Sequence, residues 1–257
     1  MISRKALLIS APLRGELNGA ANSDLEATRN FLLSPRGGAW AAHEIHVLDN
    51  PTVQQITEVV AGMHADYTIT CFSGQSFGDS NGNRFLVLNG DFIRDTDLLN
   101  SSEKQLVLVD TCPESFSKEV IHFVGKPNEF ELARRMYDKW IERCDAGQMI
   151  MHARTSADQL YAGAFTQKLL QLASKVPSIE NKFHLKSILA AGHEVPQLLQ
   201  AEGCDLSPEI SYRSGNIKLP FAMAMPAPRP GLPAAQNSGI NAVALTIFLL
   251  SLLLASD

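Results

Sequence analysis

Two short apolar segments of the chain end in residues that can do chemistry. Residues 66–76 read Asp-Tyr-Thr-Ile-Thr-Cys-Phe-Ser-Gly-Gln-Ser, and residues 104–115 read Lys-Gln-Leu-Val-Leu-Val-Asp-Thr-Cys-Pro-Glu-Ser. Each contains a strand-length run that stops at small or polar residues. Continuous apolar runs are typical of parallel strands covered by helices on both faces, and ligands bind such sheets beyond the carboxyl ends of the strands. We therefore expect Gln75 and Cys112 to lie side by side at one edge of a sheet.

The rest of the chain alternates strand and helix signals, which predicts a doubly wound α/β sheet. Strands are predicted at 6–10, 44–48, 66–72, 105–109 and 148–153, and helices at 20–33, 53–63, 128–144 and 165–173. Turn residues at 79–83 and at Asn89-Gly90 predict a hairpin around 84–88. Residues 185–191 fit either a helix or a strand, and 217–225 form an apolar closing segment.

Composition limits the classes of function. The chain has 257 residues, enough for one sizeable core, and a net charge of -5 without a long basic run, so no nucleic-acid partner is expected. The four cysteines lack metal-ligand spacing, which argues against zinc and indicates a reducing compartment. Turn chemistry explains the oxygen-rich residues 79–83 as well as a calcium site does, so we expect no metal or cofactor. The apolar run at 6–9 is too short for a signal peptide, which favours a cytoplasmic protein.

The two strand ends resemble those of the caspase/metacaspase superfamily of cysteine peptidases. In that family the first strand ends in Ser-Gly-His-Gly, where His is the base, and the second ends in Asp-x-Cys, where Cys is the nucleophile. Phe72-Ser73-Gly74 and Asp110-Thr111-Cys112 match. The His position holds Gln75, the following Gly is Ser76, and Pro113-Glu114-Ser115 stand where metacaspases commonly read His-Ser-Gly.

The resemblance, which covers roughly residues 4–225, implies a caspase-like α/β fold: a mostly parallel sheet with helices on both faces, here assigned to residues 1–225. It implies a cysteine endopeptidase acting on peptides or proteins, and domains that pair as homo-oligomers through sheet edges. The residues it assigns to the site are the nucleophile Cys112, Gln75 at the base position, Gly74 as an oxyanion N–H donor, and Asp110, Asp158, Arg154 and Arg14 as substrate-binding residues. Three alternatives stay open: Asp158 and Arg154 can be solvated loop charges, Arg14 can be a surface residue, and Asp110 can be a local hydrogen-bonding group.

Gln75 decides how much of the family chemistry applies, because an amide does not titrate. Three interpretations of Cys112 remain: the thiol of an inactive, regulatory pseudoprotease; a nucleophile served by another base; or the nucleophile of a trapped form in which Gln75 was introduced in place of a natural His. Candidate bases by residue type are His64, His122, His152, His184 and His193.

The last part of the chain has a different composition. Residues 226–239 are rich in Pro and predict a linker, and residues 240–257 are mostly apolar. A helix over 240–255 would reach roughly 24 Å, short of a bilayer core of roughly 30 Å. We consider a membrane anchor, which would make the protein a membrane-tethered scaffold, and a helix that packs on protein.

Overall fold

A computed structural model describes residues 2–12, 18–111, 121–155, 164–201, 206–212 and 218–227. Its strands are β1 (Arg4–Ala11), β2 (Ile45–Asp49), β3 (Tyr67–Gly78), β4 (Arg84–Val87), β5 (Phe92–Arg94), β6 (Lys104–Thr111), β7 (Gly147–Thr155), β8 (His184–Ser187), β9 (Leu206–Tyr212) and β10 (Pro220–Ala224). Its α-helices are α1 (Asn18–Leu33), α2 (Val53–Ala61), α3 (Pro127–Arg143), α4 (Ala164–Ser174) and α5 (Ile188–Ala201). The predicted alternation of strands and helices is confirmed.

The main sheet has the strand order β2-β1-β3-β6-β7-β9. All neighbouring pairs along this path are parallel except β7 and β9, which are antiparallel. The predicted α/β class, a mostly parallel sheet flanked by helices, is therefore confirmed. The parallel strands all end at the same edge, which we call the carboxyl edge.

The sheet is buried on both faces, and the helices are divided unequally between them. The first face, which includes Leu106 and Leu108, packs against α1, α3, α4 and α5. The second face, which includes Val107 and Val109, packs against α2 and the β4–β5 hairpin. Alternate residues of each strand thus enter separate apolar clusters, which explains why the strand sequences are continuously apolar.

Beyond the main sheet, β3 continues into a small antiparallel sheet in the order β3-β4-β5. The predicted turn at 79–83 connects β3 to β4, and the carboxylate of Asp79 accepts hydrogen bonds from the backbone of Asn81 and Asn83. Gly82 in this turn and Gly90 in the next adopt positive φ angles of 81° and 87°. The turn chemistry read from the sequence therefore forms, and it places two extra strands beside the carboxyl edge.

Three features of the last third of the fold differ from a simple alternating pattern. The ambiguous segment 185–191 contains both structures, because β8 ends at Ser187 and α5 begins at Ile188. The pattern did not predict β9, which contains Pro208 and lies outermost in the strand order. The closing segment forms β10, which pairs with β8 in a separate two-stranded sheet.

The linker and the apolar tail lie outside the described residues, apart from 226 and 227. Within the described ranges, none of the helices combines the length and the apolar character needed to span a bilayer. The division at residue 225 and the membrane-anchor interpretation of 240–257 stay predictions.

Arg4 forms a buried ionic cluster at the start of β1. Its side chain is fully buried, its Nη1 donates to the carbonyl oxygen of Gly38 at 2.9 Å, and its Nε lies 3.4 Å from Asp138 Oδ1. The guanidinium also lies 4.9 Å from the ring centre of Trp40. Burial lowers the pKa of Arg4 and raises that of Asp138, whereas each charge partly offsets the shift of the other.

We expect Arg4→Leu to lower the free energy of unfolding by about 3–5 kcal/mol, because it leaves the carboxylate of Asp138 half-buried without its closest cation. Urea denaturation measures the change. Arg94→Leu is the matched control, since Arg94 is largely exposed, and its effect should stay within about 0.5 kcal/mol. Equal effects of the two substitutions would contradict a structural role for the Arg4 cluster.

Candidate active site at the carboxyl edge

The two strands predicted to carry the chemistry are neighbours. β3 and β6 run parallel in the middle of the sheet, with Ser73 opposite Asp110 and Gly74 opposite Thr111. Both matched segments therefore approach the carboxyl edge at the same level. This is the place where ligands bind open parallel sheets.

Several predicted site residues cannot be placed in this geometry. Cys112, Arg14 and Asp158 lie outside the described residues, and of Arg154 only the backbone is described, in β7 opposite Ser207. The assignments of these residues to the site stay predictions. The structure describes Gly74, Gln75 and Asp110 in detail.

Gln75 lies within β3 rather than at its last residue. β3 continues to Gly78, and Gln75 pairs with Val87 of β4. The residue is half-buried. Its amide can donate and accept hydrogen bonds but cannot transfer a proton at neutral pH. Position 75 itself therefore offers a polar group but no acid or base.

Gly74 lies between β1 and β6, opposite Ala11 and Thr111. A Cβ atom at this position would lie 2.7 Å from the carbonyl oxygen of Ala11 and 2.9 Å from the ring of Phe72. Packing alone therefore requires a glycine here. Its assignment as an oxyanion donor stays a prediction.

The carboxylate of Asp110 connects the end of β6 to the start of α4. Its Oδ2 accepts a hydrogen bond of 2.7 Å from the backbone N–H of Thr166, in the first turn of α4. The N-terminal end of a helix favours negative charge, which makes the contact stabilising. Burial nevertheless raises the pKa of Asp110 to about 6, and Oδ1 has no hydrogen-bond partner among the described residues. Asp110 thus makes a hydrogen bond to α4, and its assignment as a substrate-binding residue stays a prediction.

Cys71, on the first face of β3, is a buried thiol of low reactivity. Burial, with a smaller contribution from the charge of Asp110, raises its pKa to about 12. It lines a small apolar cavity between α1, α4 and the sheet, together with Phe31, Leu170 and Phe221. Because the thiolate is the reactive form of cysteine, Cys71 is not a candidate nucleophile.

Two of the candidate bases lie away from the side of the carboxyl edge on which Asp110 contacts α4. His64 precedes β3 at the opposite edge of the sheet, where its Nδ1 lies 2.5 Å from Ser101 Oγ. His152 pairs in register with Val109, whose side chain belongs to the second face, whereas Asp110 hydrogen-bonds α4 on the first.

The other three candidate bases lie outside the β3–β6 strand pair. The ring of His184 lies in β8, with Nδ1 3.2 Å from the carbonyl oxygen of Pro177. His193 is exposed on α5. His122 is exposed and lies two residues after the segment 112–120, which contains Cys112 and is not described.

The buried pair of His152 and Asp95 has no counterpart in the sequence analysis. His152 Nε2 lies 2.8 Å from Asp95 Oδ2, and both side chains are largely buried. Asp95 begins the short 3-10 helix Asp95–Leu98. The contact joins residues far apart in the sequence, so no local pattern indicates it. It ties the β4–β5 hairpin region to β7.

No group of three or more His, Cys, Asp or Glu side chains that could hold a metal occurs in the described part of the chain. At the turn considered for calcium, both carboxylate oxygens of Asp79 accept hydrogen bonds from Asn81 or Asn83.

An exposed aromatic surface lies beside Gln75 and was missed by the sequence analysis. Cross-strand register in the small sheet aligns two rows, which we call the aromatic face: Gln75, Val87 and Phe92 in one row, and Phe77, Phe85 and Arg94 in the other. The three phenylalanine rings contact one another with centroid distances of 5.2–5.7 Å. A pattern search could have found the alternation of Phe with smaller residues, but not its exposure.

Comparisons with known proteins give one kind of match. No family model matches the chain, and no curated protein is similar to it in sequence. Among solved structures, the chain is similar to the structure of pro-sf-caspase-1. The two share 12% sequence identity with a TM-score of 0.49, over 84% of this chain and 89% of that chain.

Proposed function

We propose that the chain is a caspase-like cysteine-peptidase homologue that binds polypeptides, with Cys112 at the nucleophile position and Gln75 at the base position, and that it is catalytically impaired. The observation that supports this most is the register of β3 and β6. Ser73 pairs with Asp110 and Gly74 with Thr111. The two segments that resemble the peptidase motifs thus lie level on adjacent strands, as such chemistry requires.

In this proposal, the missing step is proton transfer. A cysteine attacks a peptide carbonyl as the thiolate, and a neighbouring histidine normally takes the thiol proton and later protonates the leaving amine. Gln75 can do neither. Loss of the base in a comparable catalytic unit costs on the order of 10⁴ to 10⁶ in rate. The proposal is therefore a regulatory or binding protein rather than an efficient peptidase.

The positions of the histidines support the same proposal. His64 lies at the opposite edge of the sheet, and His152 is held by Asp95 on the second face. His184 belongs to the β8–β10 sheet. An active peptidase would need His122, His193 or an unrecognised base to reach Cys112, and no described contact favours this alternative.

The pH dependence of Cys112 alkylation tests the proposal. Without a base or cation beside it, Cys112 should react with iodoacetamide with a midpoint near the ordinary cysteine pKa of about 8.5. Mass spectrometry of tryptic peptides measures the labelled fraction at each pH. Cys71 provides an internal control, since its raised pKa of about 12 predicts little labelling in the folded protein.

A midpoint below about pH 7 would overturn the impaired-site proposal, because it would show that another group stabilises the thiolate. The next experiment would then be the same titration on His122→Ala and His193→Ala, to identify that group. Labelling of Cys71 in parallel with Cys112 would instead report unfolding, and such samples are excluded by measuring the thermal transition of each preparation.

A further inference from the structure

The aromatic face exposes large apolar side chains to solvent, although the core on the other side of the same strands does not include them. Phe77 is 45% exposed and Phe92 is 53% exposed, whereas Leu86 and Ile93, on the other side of the same strands, are buried in the second core. Stability of the hairpin thus depends on the buried side. A cluster of contacting, exposed aromatic rings typically marks an interaction site.

The position of this surface connects it with the candidate site. Gln75 shares the first row of the aromatic face with Val87 and Phe92, and Phe77 lies two residues further along β3. A polypeptide that lies across the carboxyl edge at residue 75 would continue directly over these side chains. The aromatic face is therefore in place to hold residues that flank the one bound at the edge.

The charged residues around the aromatic face indicate the sign of the charge that a bound polypeptide carries. Asp79 lies at one hairpin turn, Asp91 at the other, and Asp97 beside β5. Arg94, the charged member of the face, already forms an ion pair of 3.7 Å with Asp97. The rim is thus net acidic and complements a basic group.

The edge of β5 does not offer a pairing surface for another strand. The backbone N–H of Phe92 donates to Asp91 Oδ1, and that of Arg94 donates to Asp97 Oδ2. Because these donors are already satisfied, adding a strand at this edge would break existing hydrogen bonds. A ligand is therefore expected to lie on the face of the sheet.

We propose that the aromatic face binds an extended polypeptide segment in which a bulky apolar side chain stands next to Lys or Arg. The proposal rests on the function proposed above, since it extends the binding site at residue 75. The apolar side chain packs against the exposed surfaces of Phe77 and Phe92, and the basic one approaches the acidic rim. Contacts between aromatic rings and a buried apolar side chain are the kind that dominate the binding energy of interfaces.

Fluorescence anisotropy with labelled octapeptides tests the proposal on the full chain. The probes are a peptide with a central Phe-Arg pair and two matched peptides with Ser-Arg and Phe-Glu. Phe-Arg should bind at least about tenfold more tightly than either. Phe77→Ser and Phe92→Ser should each weaken its binding about tenfold. Val47→Ser, which removes an exposed apolar side chain from β2, is the matched control and should change nothing.

Two further measurements decide between explanations. Thermal transitions check that each variant is folded, and Asp91→Asn should reduce the preference for Phe-Arg over Phe-Glu. Equal binding by the wild type and both Phe variants would overturn the proposal. The proposal would also be overturned if Phe92→Ser changed the sedimentation coefficient but not peptide binding. A second copy of the chain would then be the partner that covers the aromatic face. Alkylation of Cys112 does not involve these residues, so failure here is distinguishable from failure of the proposed function.

Discussion

Gln75→His is expected to give the chain measurable endopeptidase activity, with kcat/KM raised by about 10² to 10⁴ over the wild type. A histidine at this position supplies the proton transfer that glutamine cannot. The site for it is set by the β3–β6 register, which places Gly74, the residue before position 75, opposite Thr111, the residue before Cys112. Geometry is needed as well as residue type, because a base must come within hydrogen-bond reach of the thiol.

The assay compares four proteins on a peptide library with Arg, Lys or Asp at P1. These are the wild type, Gln75→His, the non-titrating control Gln75→Asn, and the double variant Gln75→His/Cys112→Ala. We expect cleavage only by Gln75→His, and the library then identifies the preferred P1 residue. Cleavage by the wild type through Cys112 would contradict the impaired-site proposal. Cleavage that persists without Cys112 would show that another nucleophile acts.

A second variant keeps this prediction decisive if the first gives no activity. The peptidase motif that the strand end resembles has a glycine after the histidine, whereas here the residue is Ser76, whose Oγ lies 3.5 Å from Arg84 Nη1. Gln75→His/Ser76→Gly removes that contact and restores the motif. If neither variant cleaves any library member while both remain folded, the difference from the peptidase motif extends beyond the base, and Pro113, which lacks an N–H, becomes the next residue to test.

The sequence predicted the elements whose signals are local. Continuous apolar runs indicated the buried parallel strands, because both faces of the sheet are covered. Turn residues at 79–83 indicated the hairpin, because Asp79 and Gly82 satisfy the special backbone geometry there. The adjacency of β3 and β6 was expected from the family resemblance and from the general rule that binding sites lie at carboxyl edges.

What the sequence did not indicate depends on contacts between distant residues. The pairing of His152 with Asp95 requires β7 to lie beside the 3-10 helix Asp95–Leu98. The sequence of neither segment indicates that the two are in contact. The exposure of Phe77 and Phe92 depends on which side of the small sheet faces the core. A phenylalanine in a strand is usually buried in the core, so the sequence alone does not indicate the aromatic face.

Asp110 provides the second large expected effect, on stability rather than on activity. Burial raises its pKa from the ordinary value of 3.8 to about 6, although the hydrogen bonds from Thr166 act in the opposite direction. The folded state therefore holds the proton more tightly than the unfolded state. The stability associated with the neutral carboxyl is fully present below about pH 4 and is lost as the pH rises through about 6. A shift of about two pKa units corresponds to a loss of about 3 kcal/mol.

Asp110→Asn removes this titration and keeps an oxygen that can accept the N–H of Thr166. We expect the free energy of unfolding of this variant, relative to that of the wild type, to rise by about 3 kcal/mol between pH 4 and pH 8. The buried amide adds a cost of its own, but that cost does not depend on pH and cancels in the comparison. Urea denaturation at several pH values measures the difference, and Asp97→Asn, at an exposed residue of the 3-10 helix Asp95–Leu98, is the control. Parallel pH profiles for Asp110→Asn and the wild type would contradict the raised pKa. They would then favour an Asp110 that stays ionised and solvated, as a residue lining a substrate pocket would be.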